Sequence, residues 1–136
     1  MILSQPQPAT WTFGTTRLTT KSGTIFEQGD IVLVPVPFTD LSSVKRRPVV
    51  VLSGTPYNRR SRDVIVAAIK SNPATSGGIP IENQSLASGI LPIKSYIRPG
   101  NVYTLSKGII IKHRATVRKP VLEKVFSRVG RILDQE

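Results

Sequence analysis

The sequence predicts a mainly β fold, a small and strongly bent antiparallel sheet or barrel with one α-helix packed on it at the C-terminal end. Three observations carry this. The runs Ile31–Phe38, Pro48–Leu52 and Val64–Ile69 are rich in β-branched and other apolar residues, and each is short enough to be a buried strand. Turn-forming segments separate further short apolar stretches downstream. Near the end the apolar period changes to three- and four-residue steps, the spacing of one helix face. Many short strands followed by a terminal helix favour a curved sheet with the helix covering it.

Residues 1–24 are rich in Thr, Pro, Gln and Ser, contain no acidic residue, and show little apolar pattern beyond Trp11 and Phe13. They read as a flexible N-terminal extension, in which Trp11-Thr12-Phe13 is the one segment suited to add an edge strand. Residues 25–136 form the folded domain. Its first strand carries Pro35 and Pro37, which share a face and donate nothing to a ladder, as an edge or bulged strand requires. Thr39–Ser43 reads as a loop. Pro48–Leu52 is the second strand, ended by Ser53-Gly54-Thr55-Pro56, and Val64–Ile69 is the third. Ser71–Gly78 is a turn-rich loop, followed by shorter strands at Ile79–Ile81, Val102–Leu105 and Gly108–Ile111. Val121, Leu122, Val125, Phe126, Val129, Ile132 and Leu133 then mark an amphipathic helix. Pro120 suits its first turn, and Gly130 weakens it without breaking it.

At 136 residues the chain holds one core, and 39% hydrophobic with 20% charged residues is ordinary globular composition. There is no cysteine, so neither a disulfide framework nor a thiolate zinc site forms, and a single histidine excludes a multi-histidine metal centre. A domain this small rests on packing, and a partner subunit would add to it. Nineteen Lys and Arg against eight Asp and Glu leave a formal charge of +11, a field that attracts phosphate backbones. Ribosomal and membrane-surface proteins share that balance, so charge alone does not identify the partner. No stretch reaches the roughly 18–20 continuous apolar residues of a membrane span. The first residues lack the basic start and apolar run of a secretion signal. A cytoplasmic location, away from membranes, is the resulting expectation.

The inventory of chemistry is short. No Gly-rich phosphate loop precedes a Lys-Ser/Thr pair, and no serine-elbow pattern occurs. The eight carboxylates are scattered singly, whereas a two-metal nuclease needs them clustered, so neither a metal nor another cofactor is expected. His113, inside Lys112-His113-Arg114, reads as a solvated basic-strand residue rather than a general base. Arginine, lysine and hydroxyl residues remain. They suit metal-free cleavage of RNA, because RNA brings its own nucleophile in the 2′-OH. The protein then orients the phosphate and stabilises charge on the pentacoordinate phosphorus, and arginine's planar donor fork matches phosphate oxygens.

Gly29-Asp30-Ile31-Val32, a loop, Lys45-Arg46-Arg47-Pro48-Val49-Val50-Val51-Leu52-Ser53, and then Asp63-Val64-Ile65-Val66-Ala67-Ala68-Ile69 occur in that order. So arranged, they resemble the MazF/PemK family of toxins from type II toxin–antitoxin systems. The likeness continues through Ser95-Tyr96-Ile97-Arg98-Pro99-Gly100 and Tyr103-Thr104-Leu105 into the terminal helix, covering about residues 27–134. It implies an SH3-like barrel, a two-fold dimer, metal-independent and sequence-selective cutting of single-stranded RNA, and neutralisation by a small antitoxin. DNA binding by the toxin–antitoxin complex belongs to the same expectation.

The family's arginine directly before proline maps onto Arg47, which the resemblance makes the phosphate-contacting, transition-state-stabilising residue. Arg46 points the other way from a strand, so it does not duplicate that role; with Lys45 it is a candidate RNA contact. The family's threonine just after the third strand has no counterpart here: Lys70 stands in its place, with Ser71 next. Either Ser71 supplies the hydroxyl, or Lys70 contacts the phosphate as a point charge, or the chain is a weakened toxin. Gly29 is expected to permit a tight turn, and Asp30 to anchor it by hydrogen bonds. Arg59, Arg60 and Arg62 lie in a basic run that is either an exposed loop or a flank of the RNA groove. Two rival readings stand beside the toxin. One is a nucleic-acid-binding module on the same barrel, silenced by Lys70. The other is a ribosome-associated or structural basic protein with no site, against which the flanking motif counts.

Overall fold

The computed structural model describes residues 25–36, 45–72 and 77–134. The N-terminal extension, the Thr39–Ser43 loop and most of the turn-rich loop after Ser71 lie outside the described residues. The elements follow as β1 (Asp30–Val36), β2 (Lys45–Val51), α1 (Thr55–Arg60), β3 (Asp63–Lys70), β4 (Ile79–Ile81), β5 (Leu86–Gly89), β6 (Ser95–Ser106), β7 (Lys112–Val117) and α2 (Lys119–Leu133). Single 3₁₀ turns cover Asn83–Ser85 and Lys107–Ile109.

All seven strands belong to one antiparallel sheet in the order β4-β6-β3-β2-β1-β7-β5. Its two edge strands, β4 and β5, are consecutive in the chain. A flat sheet of this width would hold its edges about 29 Å apart at ~4.8 Å per strand. The five steps from Ile81 to Leu86 reach at most about 18 Å. The sheet therefore curls into a nearly closed barrel. Every strand sends side chains into the enclosed core, among them Ile31, Val50, Ala67, Ile79, Ile81, Leu86, Ile97, Ala115 and Val117, and Leu122 and Val125 of α2 close it.

The alternate residues of β1, β2 and β3 are buried as well. Val32, Val34, Val49, Val51, Val64 and Val66 form a second cluster on the outer face with Phe26, Leu105 and Ile110. Burial on both faces explains why these strands read as continuous apolar runs rather than as an alternation. Each fully buried aliphatic side chain there contributes roughly 1.5–3 kcal/mol.

Several elements differ from the sequence expectation. β1 is not an edge strand, since it pairs with both β2 and β7. The β7 ladder stops at Leu33, however, so at Pro35 the missing donor faces no partner strand. The segment after Gly54, expected to be irregular, contains α1, with Pro56 in its first turn and Asn58 buried. Gly108–Ile111 is not a strand. The strand is the next segment, Lys112–Val117, hidden by its polar composition because only Ala115 and Val117 turn fully inward. β5 was concealed likewise by Leu86-Ala87-Ser88-Gly89, of which only Leu86 is buried. α2 starts at Lys119 and runs through Gly130 as expected. Leu122 and Val125 are buried, but Phe126, Ile132 and Leu133 stay exposed at 40, 51 and 78%.

Two glycines sit where only glycine fits. Gly29 (φ +97°) donates its N–H to the Val51 carbonyl, accepts from Val117 N–H, and packs beneath Leu122. Gly89 (φ +85°) lies so close to β7 that a Cβ would come within 2.5 Å of the Ala115 Cα and the Arg114 carbonyl oxygen.

Candidate functional site

The ladder between β2 and β3 pairs Val49 with Ala68, Val50 with Ala67 and Val51 with Val66. The pairing ends there, and two residues further along each strand come Arg47 on β2 and Lys70 on β3. By alternation from Val49 and Ala68, Arg47 and Lys70 both face outward, at the end of β2 and β3 where the buried valine cluster gives way to solvent. Both are exposed. β1 pairs the fully buried Val34 with Arg47 on its other side, an apolar neighbour on the same face. Lys45 shares the Arg47 face by alternation and Arg46 lies on the other, paired with Pro35. Ser71 is exposed just beyond the end of β3. None of Lys45, Arg46, Arg47 or Lys70 forms an ion pair among the described residues.

Arg59, Arg60 and Arg62 are exposed too, but α1 joins β2 to β3 at the opposite end of that hairpin. The strand run from Arg47 to Val51 alone spans roughly 14 Å. Arg47, Lys70, Ser71 and Lys45 thus lie at one end of the β2–β3 hairpin, and the second basic run lies at the other.

Two side chains toward that far end have their ionisation shifted by the fold. Burial pushes the Tyr103 phenol above its ordinary value. Burial pushes Lys107 below its own, with the Asp63 charge pulling it partly back. Lys107 Nζ donates to the Asn58 carbonyl at 2.6 Å.

Asp30 is fully buried. Its Oδ2 accepts the Glu27 N–H at 2.9 Å, and its own N–H donates to the Glu27 carbonyl at 3.0 Å, which closes the turn around Gly29. Its Oδ1 accepts the Thr116 hydroxyl at 3.0 Å and lies 3.4 Å from His113 Nε2. His113, expected to be a solvated strand residue, is instead held between Asp30 and Thr116, whose Oγ1 is 3.0 Å from Nε2. These partners tie β7 to the start of β1. They lie at the far end of β1 from the residue that faces Arg47.

Arg98 is the site residue to which sequence reasoning gave no role. It pairs with Ala68 across β3 and β6, so it shares the Arg47–Lys70 face, and its Nε is buried without a hydrogen-bond partner. The available signal was its place inside the Ser95–Gly100 motif, whose register on β3 cannot be read without the bulge at Ala67/Ala68.

Among the described residues no group of three His, Cys, Asp or Glu side chains could hold a metal ion, and no helix is long and apolar enough to cross a membrane.

Solved structures share this architecture. A MazE–MazF complex from Deinococcus radiodurans superposes with a TM-score of 0.65 at 18% identity, covering 81% of this chain and 97% of that one. An endoribonuclease in complex with its cognate antitoxin, from a mycobacterial species, gives 0.62 at 15% identity over 81% of this chain and 94% of that one. A Mycobacterium tuberculosis MazF toxin gives 0.62 at 17% identity over 77% and 96%. At such identities the likeness establishes the fold. No relative among curated proteins matches the sequence. The sequence itself matches the PemK-like, MazF-like toxins of type II toxin–antitoxin systems over residues 27–133, and the chain belongs to that family.

Proposed function

We propose that this toxin is a metal-independent endoribonuclease that cuts single-stranded RNA in the cytoplasm. The observation that supports the reading is that Arg47 and Lys70, both exposed and without carboxylate partners among the described residues, lie on the outer face just beyond the last paired residues of β2 and β3. A phosphate seated between them meets a planar donor fork from one side and a point charge from the other. The substrate's 2′-oxygen attacks the adjacent phosphorus, its proton leaves, and the bond to the 5′-oxygen breaks as that oxygen takes up a proton. The products are a 2′,3′-cyclic phosphate and a free 5′-hydroxyl. Charge accumulates on the non-bridging oxygens in the transition state, where prearranged donors contribute most. Ser71, next to Lys70, and Tyr96, paired with Lys70 on β6, are hydroxyls at this end of the sheet. A net charge of +11 draws RNA to the site from a distance. RNA is distinguished from DNA by the chemistry itself. An oligonucleotide with a 2′-deoxy sugar at the cleaved position should bind and remain intact, and cutting of that oligonucleotide would rule the mechanism out.

Lys70 occupies the position of the family's threonine, and its exposed place on the Arg47 face favours recruitment to the phosphate over silencing. Lys70→Thr is therefore expected to lower kcat/KM for RNA about tenfold, the loss of one charged contact. A gain in cleavage would instead show that Lys70 holds the toxin in a weakened state.

Neutralisation by a cognate antitoxin, homodimerisation, and DNA binding by the toxin–antitoxin complex are parts of the same proposal. Family membership and the antitoxin-bound neighbours support the first. For the second, the purified chain should sediment as a dimer at micromolar concentration, and a monomer there would contradict it.

A further inference from the structure

We propose that Arg98 is a second phosphate-binding residue of this site, holding the phosphate of a nucleotide next to the one that is cut. The inference deepens the ribonuclease reading and rests on it for the identity of the ligand as RNA. Its basis is geometric. Ala68 is opposed by Val49 on β2 and by Arg98 on β6. Two positions along β2 from Val49 lies Arg47, and two along β3 from Ala68 lies Lys70. Three cations thus surround one small, 9% exposed side chain. Ideal sheet spacings put the Arg47 and Arg98 Cα atoms about 12 Å apart. The two guanidinium groups then reach different phosphates of one strand more readily than the same one, with Lys70 between them.

The state of Arg98 supports a ligand. Its side chain is half-buried and its Nε is shielded from solvent with no acceptor. A buried donor left unpaired is unfavourable, more so on a charged group. A phosphate oxygen lying over Ala68 would satisfy it once the half-buried side chain turns toward the ligand. Protein carboxylates do not: the ion pairs among the described residues join Lys94 to Glu82 at 3.3 Å and His113 to Asp30. Lys94, four residues away, is thereby occupied, whereas Arg98 is not.

The test uses the full chain and a 2′-O-methyl single-stranded RNA oligonucleotide, which binds but cannot be cut, with affinity followed by fluorescence anisotropy across a range of salt concentrations. Each phosphate contact adds roughly 0.7 to the slope of log affinity against log salt for a single strand. Arg98→Ala should weaken binding about tenfold and reduce that slope by about 0.7. Arg98→Lys should restore the slope without the full affinity, because it keeps charge and loses the fork. With cleavable RNA, Arg98→Ala should raise KM and leave kcat essentially unchanged. An unchanged slope and affinity in folded Arg98→Ala would overturn the proposal, as would a fall in kcat at constant KM. Should Arg98→Ala fail to fold, Arg98→Gln is read by the same measurements, and its failure to fold as well would make the residue structural. If the unmutated protein binds with an Arg98-dependent slope yet cuts no RNA, the ribonuclease reading falls and Arg98 stands. If it cuts RNA with binding indifferent to Arg98, the reverse holds.

Discussion

Arg47→Ala should lower cleavage of single-stranded RNA by roughly 10³-fold or more, the scale set by removing one charge-stabilising donor from a phosphoryl or acyl transition state. The fold should be unaffected. Arg47 is exposed, and β2 is held by its backbone ladders and by Val49, Val50 and Val51 beneath. Exposed substitutions of this kind usually change stability by less than about 0.5 kcal/mol. Arg47→Lys should retain binding but recover little activity, since a point charge cannot reproduce a two-pronged contact. Single-turnover cleavage set beside a thermal melt separates the two effects. Normal cleavage by folded Arg47→Ala would remove Arg47 from the site.

The largest effect on stability is expected at the other end of the hairpin. Asn58 is 1% exposed and its amide donates to the Phe26 carbonyl at 2.7 Å and the Ser53 carbonyl at 3.0 Å. It also accepts from the Ser53 hydroxyl, which in turn accepts the Ile65 N–H. One side chain thereby fastens the segment before β1 to the start of α1 and to β3. Asn58→Ala leaves two carbonyls and a hydroxyl short of partners in a dry site. At about 1–3 kcal/mol for each such group, and with losses that do not add in full, the destabilisation should be about 3 kcal/mol. That corresponds to a fall of about 10 °C in Tm for a domain of this size. Asn58→Asp should do no better, because it replaces the donating amide with an acceptor aimed at the same carbonyls. A melting temperature for Asn58→Ala within a degree or two of the unmutated protein would contradict this role.

How far the sequence reveals the fold depends on how each strand is buried. β1, β2 and β3 are buried on both faces, so their valine runs are visible without any partner in view. β5 and β7 have few inward side chains, and Lys112-His113-Arg114 looks like surface until the bulge on β7 and the carboxylate of Asp30 are seen beside it. α1 was masked by a proline and two arginines that also suit a loop, while its reason for existing, the buried Asn58, is a polar residue with no pattern of its own. The site divides the same way. Arg47 is marked by the proline after it. That Arg47 and Lys70 share a face needs the strand bounds and register, and Arg98 joins that face only through the three extra residues, Pro99 to Asn101, that interrupt the pairing of β6 with β3. Arg59, Arg60 and Arg62 show the converse: a basic run near a motif in sequence can be folded to the far end of a sheet.

The most direct test is to incubate the purified chain with single-stranded RNA in excess EDTA and to analyse the ends of the fragments. Cleavage that persists in the chelator, leaving 2′,3′-cyclic phosphates and free 5′-hydroxyls, is the predicted result. Intact RNA, or cleavage that stops in EDTA and returns with a divalent metal, would contradict a site built from Arg47 and Lys70 with RNA supplying its own nucleophile.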